Sequence, residues 1–146
     1  MTTSTISTNR SSLLKEAIQE RLPEYQALAL DIHQHPEVSN YEFYSSAALI
    51  RQLEKEGFTV EKEVAGHRTG FAASYRSDKP GPTIAFLAEF DALPGIRHAC
   101  GHNLFGTYSV LAASIIKKQI DEIGGEIRVY GTPGEEGGEN GSAKGS

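Results

Sequence analysis

Six residues in two short segments have the types and spacing to do chemistry. Glu89, Asp91, Cys100 and His102 fall within LAEFDALPGIRHACGHN at 87–103, and Glu135 and Glu136 within GTPGEEGG at 131–138. Cys100 and His102 are two apart, so in an extended stretch a thiolate and an imidazole face one centre. That pair suits a borderline-soft divalent ion. Neighbours in an extended backbone point to opposite sides, so Glu135 and Glu136 suggest divided labour: one ligates an ion and the other reaches a water as general base. A solvated acidic loop is the plainer alternative, against which stand the glycines on both sides of the pair. Asp91 follows an apolar run and is placed either to hold the outer N–H of a ligating imidazole or to cap the turn DALPG. Glu89 either faces the same crevice or pairs with Arg97. His98 shapes the loop before Cys100. His33, His35 and His67 read as surface residues, the first two at a helix end.

The elements that must position these residues follow from hydrophobic periodicity. Leu14, Ile18, Leu22, Tyr25, Leu28, Ala29 and Ile32 recur at helical steps, predicting a helix over 12–34 that Pro23 kinks or divides. Residues 33–43 read as loop, since Pro36 biases His35 away from helical angles. Ser45 or Ser46 can cap a second helix that ends at Gly57. Strands are predicted at 58–64, 71–76, 83–90 and 126–131, and a third helix at about 104–119. The run TIAFLAEF at 83–90 is nearly all apolar and reads as a central strand buried on both faces. Strand, helix and strand over 83–131 form a crossover, which implies parallel pairing. The expected fold is therefore a layered α/β domain, with a mixed, mainly parallel sheet and helices on both faces. Ligands bind beyond the carboxyl ends of such strands, where the loops after 90 and after 131 both open.

Composition narrows the functional classes. The chain has 146 residues, 14 basic against 19 acidic, for a net charge of −5. That balance argues against non-specific binding to nucleic acid or to anionic membrane. A single cysteine excludes an internal disulfide. No apolar run reads as a signal-peptide core or a membrane span, and a cytoplasmic protein is expected. Residues 1–12 are expected as a flexible lead-in to a domain over 13–146. The terminal run GENGSAKGS reads as a loop leading to a further element, so a piece of a longer protein is expected.

Taken together, HQHPEVSNYE at 33–42, LAEFDALPGIRHACGHN and GTPGEEGG resemble the M20 superfamily of metal-dependent peptidases and amidohydrolases. The resemblance is to its amidohydrolase branch, and within it to aminobenzoyl-glutamate hydrolases and related dipeptidases. It covers roughly residues 25–144, the N-terminal part of a longer catalytic domain. It implies that Cys100, His102 and Glu136 are metal ligands. It implies that Glu135 is the general base and Asp91 the acid that orients the metal-site imidazole. It further implies zinc or manganese, two ions in the full-length protein, and a homodimer. The implied reaction is cleavage of an amide bond in a small N-acyl amino acid, aminobenzoyl-glutamate or a dipeptide, through a metal-activated water. The remaining ligands would lie beyond residue 146, leaving residues 1–146 inactive alone. Many members of the branch carry Asp where Asn103 and Glu89 stand here. Two other readings compete: a cysteine-dependent hydrolase using Cys100, and a non-enzymatic acidic α/β binding module.

Overall fold

The computed structural model describes residues 2–137, with side chains from residue 9 onward, and the expectation for 138–146 lies outside the described residues. The chain runs α1 (Thr2–Gln34), α2 (Phe43–Lys55), β1 (Thr59–Lys62), β2 (Phe71–Arg76), β3 (Thr83–Ala88), α3 (His102–Ile115), α4 (Lys117–Ile123) and β4 (Glu126–Gly131). Helix α1 begins ten residues before the expected start and takes in most of the segment expected to be flexible. No Gly or Pro lies between Thr2 and Leu22, so the hydrogen-bond ladder can propagate outward from the packed part. Pro23 does not divide the helix. It lies on the exposed side, where the backbone acceptor it leaves without a donor meets water. The opposite side buries Tyr25, Ala29 and Ile32.

The sheet order is β1-β2-β4-β3. Strands β3 and β4 pair in parallel from Thr83↔Glu126 to Ala88↔Gly131, as the crossover argument requires. The other two ladders are antiparallel, so the sheet is mixed but not mainly parallel. Phe71, Ala73, Ile127 and Val129 join Leu49, Leu53 and Val110 in the core. The alternate set on the same strands, Ala72, Ser74, Arg128 and Tyr130, is only half-buried. Among the described residues the helical layer thus covers one face of the sheet rather than two.

Strand β3 also departs from expectation. It lies at the sheet edge, and Ile84 and Leu87 are 37% and 40% exposed. An apolar run has no periodicity that distinguishes an edge from a centre. The predicted third helix divides at Ile116, whose ψ of −2° turns the chain so that α4 buries Ile120. Helix α3 starts at His102, entered through Gly101 in the left-handed region (φ 83°). Since Ala88 and Gly131 are register partners, the loops that follow β3 and β4 leave the sheet side by side.

Helix α3 can lie on the end of β3 because residue 106 is glycine. A Cβ there would stand 2.5 Å from the Glu89 carbonyl oxygen. Gly106→Ala should therefore push the helix off the strand end and destabilise the protein by about 1–3 kcal/mol, the usual range for overpacking. A urea titration checks this, and an unchanged midpoint would show that the helix shifts freely.

Candidate metal centre

The site is built around one imidazole. His102 occupies the first turn of α3 and is 7% exposed. Its Nδ1 lies 2.8 Å from Asp91 Oδ1. That contact fixes the ring, so Nε2 points into a group of carboxylates: Glu89 at 3.1 Å, Glu135 at 3.7 Å and Glu136 at 3.8 Å. The ligand atoms of Cys100, His102 and Glu136 all lie within 4.8 Å of one another, and so do those of Glu89, His102 and Glu135. The sequence-predicted residues thus come together. Glu89 faces the crevice beside His102, while Arg97 is an exposed residue of the turn between Leu93 and His98. Glu135 and Glu136 both reach the same nitrogen, against the expectation for neighbours. They sit in a turn flanked by Gly134 (φ 65°) and Gly137 (φ 90°), not in an extended stretch.

Asp91 has no exposed surface. Besides His102 Nδ1 it accepts the Ser39 hydroxyl at 3.0 Å and the Glu136 backbone N–H at 3.0 Å. Burial pushes its carboxyl up, but the hydrogen bonds from His102, Glu136 and Ser39 outweigh that and hold it below the usual range. His102 is raised, chiefly by its hydrogen bond to Asp91 against the opposing effect of burial, with the charges of Asp91, Glu89 and Glu136 adding to it. The Cys100 thiol is pushed up by burial, with Glu136 and Asp91 adding to it. The backbone N–H of His102 favours the thiolate but does not offset them. Sγ instead donates weakly to the Asp91 carbonyl at 3.7 Å. A nucleophilic cysteine needs a depressed pKa or a base beside it. Here the thiol is raised and faces the Asp91 carbonyl, which disfavours the cysteine-hydrolase reading.

Sequence reasoning missed the segment that holds these loops in place. Residues 36–42 lie alongside the strand-end loop through a parallel bridge, Val38↔Ala92, with the Ala92 N–H donating to the Glu37 carbonyl at 2.7 Å. The Glu37 carboxylate accepts the Tyr44 and Ser45 backbone N–H groups at 2.8 and 2.9 Å, and so caps α2 in place of Ser45 or Ser46. Ser46 instead donates its hydroxyl to the Thr69 carbonyl. His98 is buried with both ring nitrogens unpartnered, its ring centroid 6.1 Å from that of the exposed His33. Buried Asn103 donates its amide to the Ala29 carbonyl at 3.2 Å, tying α3 to α1. A carboxylate could not make that bond, which accounts for Asn at this position in this chain.

Comparison with known proteins follows the same lines. No family model matches the chain. It is 38% identical over 144 residues to one of the subunits of the Escherichia coli p-aminobenzoyl-glutamate hydrolase, a match covering 86% of this chain and 30% of that protein. It is 33% identical over 143 residues to the Xaa-Arg dipeptidase of Mus musculus, covering 86% and 33%. Its fold matches the Bacillus subtilis YXEP protein, a dinuclear metal binding peptidase from the M20 family, with a TM-score of 0.67 and 27% identity over 86% of this chain and 36% of that one. Its homologues are M20-family peptidases and amidohydrolases. The chain spans about a third of the length of the curated relatives it matches. No helix among its described residues is long and apolar enough to cross a membrane.

The raised His102 and lowered Asp91 both make stability in chelator depend on pH. The His102 contribution is full below its unfolded value of about 6.5 and fades as pH rises through the raised folded value. The Asp91 contribution is present above its ordinary carboxylate value and is lost on acidification through the lowered folded one. Melting temperature in chelator should therefore fall from neutral to alkaline pH, and Asp91→Asn should flatten that fall. Equal slopes in the two proteins would show that the pair does not govern it.

Proposed function

We propose that this chain carries part of the active site of a metal-dependent amidohydrolase. The observation that carries the reading is that a thiol and three carboxylates gather in two ligand groups around one imidazole, whose Nδ1 is already engaged, at the strand-end rim. The thiol and imidazole fit a divalent ion of borderline softness such as zinc, while the carboxylates also suit manganese. Cys100, His102 and Glu136 would hold one ion. Nε2 has a single lone pair, so His102 can serve only one of the two ligand groups at a time, and a second ion would draw on residues beyond those described here. A bound ion supplies a Lewis acid for an amide carbonyl and lowers the pKa of an attacking water.

The chain's own residues supply the rest. Glu135 accepts a proton from the attacking water and returns it to the leaving amine nitrogen. Asp91 keeps a proton on Nδ1 and so keeps Nε2 free for ligation. The crevice suits a small ligand, and relatives named for aminobenzoyl-glutamate hydrolysis and dipeptide cleavage support a small N-acyl amino acid, aminobenzoyl-glutamate or a dipeptide as substrate. We place the whole protein in the cytoplasm as a homodimer, with residues 13–146 belonging to its catalytic domain.

A hydrolysis panel with and without chelator tests the reading. It is run on the 146-residue chain and on a chimera in which the chain replaces the matching third of the E. coli relative. The chimera should cleave at least one small amide and stop when chelated, while the chain alone should be inactive. In the chimera, Glu135→Gln should retain metal but lose turnover by about 10²–10⁴-fold. Cys100→Ala should lose metal as well as turnover. Equal metal loss in both variants would show that the roles are divided wrongly, and a chimera that binds no transition metal by elemental analysis would favour the non-enzymatic module.

A further inference from the structure

The loop that carries Glu135 and Glu136 is held by its alternate amides. The Thr132 N–H donates to the Ala88 carbonyl at 3.0 Å, the Gly134 N–H to Glu42 Oε1 at 2.8 Å, and the Glu136 N–H to Asp91 Oδ2 at 3.0 Å. The first acceptor belongs to the neighbouring strand and the last to the metal centre. The middle one is a glutamate 92 residues away in sequence, with no exposed surface. Glu42 Oε1 also accepts the Asn40 N–H at 2.8 Å, and Oε2 the Thr69 hydroxyl at 2.9 Å. Glu42 stands at the N-terminal boundary of α2, where its own carbonyl accepts the Ser46 N–H.

Three neutral donors from three separate segments converge on this one carboxyl group. Burying a carboxylate is expensive unless its oxygens are satisfied, so the group specifies where each donor must be. Gly134 is the residue before the two acids, and its φ of 65° turns the chain toward His102. On this basis we infer that Glu42 is a positioning residue of the metal centre, a buried clamp that fixes the approach of Glu135 and Glu136 to His102 by holding the Gly134 amide. The inference rests on the metal-site reading for its consequence, but the clamp itself is a property of the chain.

The two are tested separately, on the 146-residue chain. Cobalt(II) titration followed through the thiolate-to-metal absorption reads the metal site, and hydrogen exchange at the Gly134 and Glu136 amides reads the clamp. Glu42→Ala should weaken cobalt binding by about 10- to 100-fold, the usual effect of removing a group that orients ligands. It should also raise exchange at Gly134 by about tenfold or more, as expected when a buried amide loses its acceptor. Glu42→Gln should restore both, because its carbonyl can take the two amides while its NH₂ donates to the Thr69 hydroxyl. Val110→Ala, a core truncation away from the loop, sets the level of loss expected from destabilisation alone and should leave cobalt affinity unchanged. If Glu42→Ala does not fold, Thr69→Val removes one donor to the clamp and should raise Gly134 exchange by a smaller factor. Should the unaltered chain bind no cobalt, Cys100, His102 and Glu136 do not suffice to hold an ion, and amide exchange alone decides the clamp. Wild-type exchange at Gly134 in Glu42→Ala, or equal cobalt loss in Val110→Ala, would overturn the inference.

Discussion

The hydrogen bonds to the Asp91 carboxylate link three stretches of chain that are far apart in sequence. His102 comes from the start of α3, Glu136 from the loop after β4, and Ser39 from the segment between α1 and α2. Each donor is placed by a different element, so the carboxylate can be satisfied only when helix, sheet and loop have all docked. An unsatisfied buried carboxylate is costly enough that this one group couples assembly of the site to assembly of the fold. The parallel β3–β4 ladder makes the arrangement possible, because it ends both strands level at Ala88 and Gly131.

The site shows a conflict between stability and chemistry. Glu89, Asp91, Glu135 and Glu136 surround a single imidazole, and like charges at such separations repel. These carboxylates favour the protonated form of His102 when no ion is bound. Exchanging that proton for a divalent ion adds positive charge where the acids converge, while the tether to Asp91 stays in place. The backbone is arranged to tolerate the crowding: glycines on both sides of the acid pair let the turn form, and alternate amides of the same loop are held from outside.

The acids, the thiol and the imidazole were legible from their types, their spacing and their place at strand ends. So was the parallel pairing of β3 with β4, because a helix-length connection leaves little other choice. What could not be read depends on distant partners. Glu37 caps α2 from several residues upstream, and Ser39 meets Asp91 across 52 positions. Neither resembles a local capping or turn signal. Nor could spacing alone show that Glu135 and Glu136 reach one atom, since that depends on a turn whose dihedrals only the folded loop reveals. The edge position of β3 and the unbroken course of α1 through Pro23 are likewise decided by which sides are covered and which meet water.

The outer margin of β3 carries a row of backbone N–H and C=O groups that no strand among the described residues engages, beside the half-exposed side chains of Ile84 and Leu87. Such a margin is a template on which a further extended segment can pair. The sequence limits such pairing at the entry to the strand. Pro80 and Pro82 precede it and cannot extend the ladder as donors. The stretch left open to pairing is therefore the six residues of β3.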